Sequence, residues 1–159
     1  MIGSHLVSDD AIYNLALRVG SLLAENGFVV VSGGRGGVME AVCRGAKMHN
    51  SLTLAFLPGF NFDEANDFVD LVIPTGLGYA RNAINVLASE VVISISGGYG
   101  TLSEIGLALA YNRHVIILSG SGGVSDFAAK WFGDDKKVLV VDSPEKAVEA
   151  VKSLLNVDG

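Results

Sequence analysis

The segment VVISISGGYGTLSEIGLALA, residues 91–110, passes from an apolar run through a glycine-rich turn into a stretch with helical apolar spacing. The run at 91–95 is apolar at nearly every position, which is typical of a parallel strand buried on both faces. The segment FVVVSGGRGGVME, residues 28–40, has the same order. Two strand–turn–helix units of this kind indicate an α/β fold with a parallel sheet.

The same alternation extends along the chain in both directions, because β-branched runs of strand length recur between helical patterns. A length of 159 residues fits one domain, spanning residues 1–159. We therefore predict an α/β fold with a doubly wound, mainly parallel sheet flanked by helices. The predicted strands are 28–32, 52–57, 69–73, 91–95, 115–119 and 138–141, and the predicted helices are 9–26, 38–49, 79–89, 102–112, 124–132 and 144–155.

The first residues, MIGS at 1–4, resemble the carboxyl end of a strand whose earlier residues are absent. A central strand this short leaves backbone groups of its neighbours unpaired. We therefore expect either that the sequence begins late within the strand or that a partner covers the gap.

Composition narrows the class of ligand. The formal net charge of −6 disfavours binding to nucleic acid, which depends on lysine and arginine contacts to phosphates. The apolar runs are far shorter than a membrane span, and no secretory leader is apparent, so we expect a soluble cytoplasmic protein. The single cysteine, Cys43, is expected in the core, and the three histidines lack metal-ligand spacing. A small molecule is the expected partner.

The two glycine loops, GGRGG at 33–37 and GGYGT at 97–101, predict a phosphate or nucleotide site. Glycine lets backbone N–H groups approach an anion, and the following helix adds unpaired donors and a partial positive charge. Neither loop has the Walker pattern or the dinucleotide-binding pattern GxGxxG. The predicted binding residues are Gly3, Ser4, Gly33, Gly34, Arg35, Gly36, Gly37, Gly97, Gly98, Tyr99, Gly100 and Thr101.

Glu104 has two interpretations. The sequence Thr101-Leu102-Ser103-Glu104 has the form of a capping box, in which Thr101 caps the helix and Glu104 hydrogen-bonds back to its backbone. Alternatively, Glu104 is a carboxylate at the edge of the phosphate site, where it binds a sugar hydroxyl or activates water.

Two arginines pose a similar choice. Arg81 stands near the start of a predicted helix, where a cation gains nothing from the helix dipole, so an anionic partner explains it better than solvent. Arg35 either contacts phosphate or faces solvent.

The third glycine cluster, residues 120–123, either borders the same cleft or is a flexible connection.

Four motifs together resemble a known group of proteins: GGRGGVMEAVCRGA at 33–46, LPG at 57–59, PTGLGYARN at 74–82 and GGYGTLSEIGLAL at 97–109. The chain from Gly3 to about Ser119 resembles the Rossmann-like proteins once named possible lysine decarboxylases. These belong to a superfamily that includes the Lonely Guy cytokinin-activating phosphoribohydrolases. The resemblance implies a single Rossmann-like domain with three layers.

The resemblance also implies an activity, the hydrolysis of the N-glycosidic bond of a nucleoside 5′-monophosphate to free base and ribose 5-phosphate. Decarboxylation of lysine is not implied. The second glycine loop with Thr101 would hold the 5′-phosphate, while Glu104 and Arg81 would be the catalytic residues. Glu104 would engage the ribose and assist the attacking water, and Arg81 would orient the nucleotide or stabilise the departing base. No metal or organic cofactor would be needed.

The chain departs from the Lonely Guy signature at three positions. Ser96 replaces the proline of PGGxGTxxE, while Gly78 and Asn82 replace the methionine and lysine of Met-x-x-Arg-Lys. Relatives in the superfamily include molybdenum-cofactor carriers and nucleotide sensors that bind without turnover. The alternative function is therefore a non-catalytic carrier or sensor of a nucleotide or phosphorylated cofactor. A role in DNA processing is a third, which the acidic balance disfavours.

The predicted helices 79–89 and 102–112 are apolar over much of their circumference. Such helices are either core or subunit interface. The resemblance favours a homodimer in which they pack across a two-fold axis, and a tetramer is the alternative.

Overall fold

The computed structural model describes residues 1–7 and 9–156, so Ser8 and residues 157–159 of the predicted domain lie outside the described ranges. Strands and helices alternate along the chain as expected. The strands are β1 (Ile2–Gly3), β2 (Val30–Ser32), β3 (Thr53–Leu57), β4 (Leu71–Pro74), β5 (Val91–Ile95), β6 (His114–Leu118) and β7 (Val138–Val141). The helices are α1 (Asp10–Glu25), α2 (Val38–Lys47), α3 (Asn82–Leu87), α4 (Tyr99–Ala110), α5 (Gly123–Phe132) and α6 (Pro144–Leu155), with short 3₁₀ segments at Phe62–Glu64 and Gly78–Arg81.

The strands form two parallel sheets with the orders β2-β3-β4 and β1-β5-β6-β7. The backbone nitrogen of Met1 donates to the carbonyl of Val31 at 2.7 Å and connects the two sheets. Gly3 pairs with Ile95, so β1 pairs only with the carboxyl-terminal residues of β5. Because β1 is two residues long, it does not form a ladder with β2, and the expected continuous sheet is divided at this point.

Helices cover both faces of the larger sheet, which confirms the doubly wound, three-layer fold. Ile116 and Leu118 of β6 pack with residues of α1, α2 and α6 in one core cluster. Val115 and Ile117 of the same strand pack with residues of α3, α4 and α5 in a second cluster. The alternation follows from strand geometry, since successive side chains point to opposite faces. Cys43 is fully buried in the first cluster, as expected.

Two helices, α3 and α4, begin at other residues than the sequence patterns predict. The predicted helix 79–89 is a 3₁₀ segment, Gly78–Arg81, followed by the short α3. The predicted helix 102–112 begins earlier, at Tyr99, because Gly98 adopts an N-cap conformation and starts the helix. Within the described ranges, the structure has no helix whose length and apolar character would suit it to crossing a membrane.

Candidate functional site

A cleft of about 910 Å³ opens at the carboxyl ends of β1, β2 and β5. In a doubly wound fold this edge of the sheet is the usual ligand site, because the loops from neighbouring strands converge there. The lining residues are Met1, Ile2, Gly3, Ser4, His5, Gly33, Arg35, Met39, Pro58, Gly78, Tyr79, Arg81, Asn82, Gly98, Tyr99, Gly100, Thr101, Ser103 and Glu104.

The structure brings most of the predicted site residues to this cleft. The predicted residues that line it are Gly3, Ser4, Gly33, Arg35, Arg81, Gly98, Tyr99, Gly100, Thr101 and Glu104. Four predicted glycines, Gly34, Gly36, Gly37 and Gly97, are not among the lining residues; they shape the loops that carry the others.

The first loop is held close to the end of β1. Gly37 has a φ of +66°, and a Cβ at this position would collide with the backbone of Ser4 and His5. The next residue, Val38, donates its N–H to the Ser4 carbonyl at 2.9 Å. On the other side of the loop, Asn66 Nδ2 donates to the carbonyl of Gly34 at 3.0 Å. The loop is therefore fixed at both ends, and glycine is required where it touches β1.

The second loop rests on the third glycine cluster. Ser96, whose φ is +53°, donates its N–H to Ser121 Oγ at 2.8 Å and accepts from the Ser125 N–H at 3.0 Å. The Val124 N–H donates to the Gly97 carbonyl at 2.9 Å. A Cβ on Gly123 would lie 2.5 Å from that same carbonyl oxygen. The cluster at 120–123 does not line the cleft; it supports the loop that does.

The capping-box interpretation of residues 101–104 is wrong. Thr101 lies inside α4 instead of preceding it, and the N-cap is Gly98, which offers no side chain to the first turn. Glu104 accepts a hydrogen bond from Asn85 Nδ2 at 3.0 Å, so its carboxylate points toward α3 and not back to the helix start. The N–H groups of the first turn have no intrahelical acceptors. Residues 98–101 line the cleft, so these donors and the positive end of α4 border it.

Arg81 and Glu104 form a buried charged pair at the cleft. Arg81 Nη1 lies 3.9 Å from Glu104 Oε1, and Arg81 Nη2 donates to the Gly33 carbonyl at 3.4 Å. Among the described residues no acceptor is within hydrogen-bonding distance of Arg81 Nε. Burial lowers the pKa of Arg81, although the Glu104 charge opposes this shift. The solvent-exposed arginine that we considered is thus excluded, since Arg81 is only 8% exposed.

Burial also affects the carboxyl group of Glu104. It raises the pKa of Glu104 above its ordinary value, while the hydrogen bond from Asn85 and the charge of Arg81 act in the opposite direction. The arrangement places Glu104 and Arg81 beside the positive end of α4, a combination that suits a polar ligand with a negative charge. In contrast, Arg35 is exposed at the rim of the cleft.

Several cleft residues were not predicted from the sequence. Asn82 Nδ2 donates to Ser103 Oγ at 2.8 Å and to the Gly100 carbonyl at 3.3 Å, which ties the start of α3 to α4. Asn82 and Pro58 belong to quoted motifs, PTGLGYARN and LPG, so the motifs contained a signal for them. Met39 likewise belongs to a quoted motif, GGRGGVMEAVCRGA, whereas His5 is brought to the cleft by the chain path and no pattern in the sequence marks it.

Comparison with known proteins agrees with this fold. The sequence model of the SLOG cluster4 family matches residues 1–148. An uncharacterized protein of Archaeoglobus fulgidus is 49% identical over 110 residues, which cover 69% of this chain and 72% of that protein.

Two solved structures are similar over nearly the whole chain. The molybdenum cofactor binding protein from Rippkaea orientalis has a TM-score of 0.83 and 40% identity, with 92% of this chain and 90% of that chain covered. The molybdenum cofactor carrier protein from Chlamydomonas reinhardtii has a TM-score of 0.84 and 36% identity, with 93% and 90% covered. Because the family model spans most of the described residues, including both glycine loops and the Arg81–Glu104 pair, the chain belongs to the SLOG cluster4 family.

Proposed function

We propose that this protein binds a phosphorylated, nucleotide-like small molecule and carries it without chemical turnover, as a carrier of molybdenum cofactor or a related phosphorylated pterin. The observation that carries the proposal is the uncapped first turn of α4, residues 99–101, at the wall of the cleft. Its free N–H groups and the helix dipole favour a phosphate there. Thr101 lies within the same turn and adds a hydroxyl donor.

The similarity to molybdenum cofactor proteins supports a carrier over an enzyme. The proteins from Rippkaea orientalis and Chlamydomonas reinhardtii are 40% and 36% identical to this chain over more than nine-tenths of its length. A carrier needs a site that holds its cargo. The buried Arg81 and Glu104 at the cleft supply polar groups for this purpose.

The phosphoribohydrolase activity implied by the Lonely Guy resemblance is the leading expectation from the sequence. Here it becomes the second candidate. One observation favours it: Glu104 and Arg81 lie together at the cleft, close to the proposed phosphate position. A carboxylate in this position stabilises the oxocarbenium character that develops when a glycosidic bond breaks. The comparisons favour the carrier, so we rank hydrolysis below it.

We also propose that the protein acts as a homodimer through α3 and α4. Leu87 on α3 is 48% exposed, and so is Tyr111 at the end of α4, although both are large apolar side chains on neighbouring elements. Light scattering of the purified protein tests this. A monomer at micromolar concentration would contradict the dimer and leave the carrier proposal standing.

The two functions are separated by one set of measurements on the purified protein. Material bound after expression in a host that makes molybdenum cofactor is released by denaturation and analysed for pterin by fluorescence and for molybdenum by mass spectrometry. In parallel, the protein is incubated with nucleoside 5′-monophosphates and free base is followed by chromatography. The carrier predicts co-purified pterin and no base release, whereas base release at enzymatic rates would establish the hydrolase.

Arginine variants show whether any binding belongs to this cleft. Arg81→Gln is expected to abolish retention of the ligand, because the buried guanidinium faces the cleft. Arg44→Gln is the matched control, since Arg44 is exposed on α2 outside the lining residues. Equal retention by the two variants would contradict the assignment of the site.

A further inference from the structure

Two tyrosines at the cleft are almost fully exposed. Tyr79 is 85% exposed and Tyr99 is 93% exposed, and both line the cleft. By contrast, Tyr13 is partly buried and its hydroxyl donates to Glu40 Oε1 at 2.9 Å. A tyrosine normally buries much of its ring, because the ring presents a large apolar area to water. These two rings therefore have unused apolar faces at the cleft.

The two tyrosines belong to adjoining segments of the cleft wall. Tyr79 lies in the 3₁₀ segment that leads into α3, and Tyr99 is the first residue of α4. The hydrogen bond from Asn82 Nδ2 to the Gly100 carbonyl joins these segments next to both tyrosines. Both residues therefore line the cleft from adjoining segments of backbone.

The space beside the rings is open. A Cβ built on Gly78 or on Gly98, the residues just before the two tyrosines, would meet no atom within 4 Å. The cleft, at about 910 Å³, is also much larger than a phosphate group requires. The exposed rings and the open backbone thus leave room for a flat group beside the phosphate position.

We propose that Tyr79 and Tyr99 bind the planar heteroaromatic ring of the ligand by stacking, while the first turn of α4 binds its phosphate. This rests on the proposed function, and it narrows the ligand to phosphate monoesters of a flat heterocycle. A nucleobase and a pterin share the required π-face. Stacking of a base on an aromatic side chain contributes about 1–3 kcal/mol, which corresponds to at least about a fivefold change in affinity.

The test compares ligands with and without the ring by titration calorimetry. The probes are AMP, neopterin monophosphate and ribose 5-phosphate, and the variants are Tyr79→Ala, Tyr99→Ala, Tyr79→Phe and Tyr99→Phe. We expect each alanine variant to bind the preferred ring-bearing probe at least about fivefold more weakly and ribose 5-phosphate unchanged. The phenylalanine variants should retain the wild-type affinity, because the stacking face remains. The preferred probe identifies the heterocycle as base or pterin.

Phe62→Ala is the matched control, because Phe62 is an exposed aromatic residue outside the cleft lining and outside α3 and α4. Equal losses for ribose 5-phosphate and the ring-bearing probes, or no loss in either alanine variant, would overturn the inference. So would dissociation of an oligomer by Tyr79→Ala or Tyr99→Ala with all three affinities reduced together, since the rings would then belong to an interface. Failure of the wild-type protein to bind any probe would contradict the proposed function itself.

Discussion

Arg81 Nη1 and Glu104 Oε1 lie 3.9 Å apart, with only 10% and 8% of their side chains exposed. This separation is too long for a hydrogen bond, so the two charges attract without being directly bonded. The pair therefore leaves hydrogen-bonding capacity for a ligand while each charge lowers the cost of burying the other. The same two charges thus contribute both to the stability of the protein without ligand and to the polarity of the candidate site.

Removing one charge of this pair should destabilise the protein. Glu104→Gln retains the shape and the Asn85 contact, but it leaves the Arg81 charge buried without its partner. We expect a loss of about 3 kcal/mol, the lower end of the range for breaking a buried ion pair, because the pair is long. Urea unfolding measures the change.

A double-mutant cycle isolates the interaction. Arg81→Met combined with Glu104→Gln removes both charges, so the double variant should lose less free energy of unfolding than the sum of the two single variants, by about 0.5–3 kcal/mol. Strictly additive losses would show that the two side chains do not interact in solution.

Gly33→Ala should impair binding more than folding. A Cβ on Gly33 would lie 2.5 Å from Arg81 Nη2 and 2.7 Å from Met39 Sδ, so the Arg81 guanidinium must move. Retention of the bound ligand should fall at least tenfold, because a shift of about 1 Å at a binding group is costly. Gly106→Ala on α4 is the control: its Cβ would meet nothing within 4 Å, and alanine should stabilise the helix by up to about 1 kcal/mol. A Gly33 variant with wild-type retention would refute the role assigned to this close approach.

Ser121→Ala should loosen the second glycine loop. Ser121 Oγ accepts from the Ser96 N–H at 2.8 Å and donates to the Leu118 carbonyl at 2.7 Å, and the residue is buried. Leaving these groups unpaired should cost about 1–3 kcal/mol. Hydrogen exchange at residues 96–101 should accelerate. Ser119→Ala, which loses a hydrogen bond to Val141 but no contact to the loop, should leave that exchange unchanged.

Asp70 should make stability depend on pH in the acid range. Its carboxylate accepts from Lys47 Nζ at 2.7 Å and from the Thr53 N–H at 2.9 Å. The Lys47 hydrogen bond, assisted by Thr53, lowers the pKa of Asp70 below its ordinary value of 3.8. A lowered folded pKa stabilises the fold above that ordinary value, and the contribution is lost as pH falls through the folded pKa. Because the pair is about one-third exposed, we expect less than about 1 kcal/mol.

Asp70→Asn should therefore be less stable than the wild type at pH 7, and the difference should disappear on acidification below 3.8. Asp142→Asn serves as the comparison, since the Asp142–Lys146 pair is about two-thirds exposed and should contribute nothing measurable. A difference for Asp70→Asn that persists at low pH would point to a cause other than this charge.

Local sequence patterns predicted the fold well, because buried parallel strands and glycine turns can each be recognised from a short continuous stretch of residues. The start of α4 was missed for a local reason. The capping-box pattern at 101–104 suggested a later start, whereas Gly98 provided the N-cap in the structure. The division into two sheets depends on how far β1 reaches along β2 and β5, which is a property of the assembled sheet.

The sequence by itself determined the order of strands and helices, the two glycine loops, and the residue types that suit a phosphate. These follow from hydrophobic periodicity and from the backbone freedom of glycine, which act over a few neighbouring residues. Only the tertiary structure decided that Arg81 lies beside Glu104 and Gly33, that the cluster at 120–123 supports the second loop, and that Tyr79 and Tyr99 line the same cleft. Packing brings together residues that are distant in sequence, so no local pattern specifies these contacts.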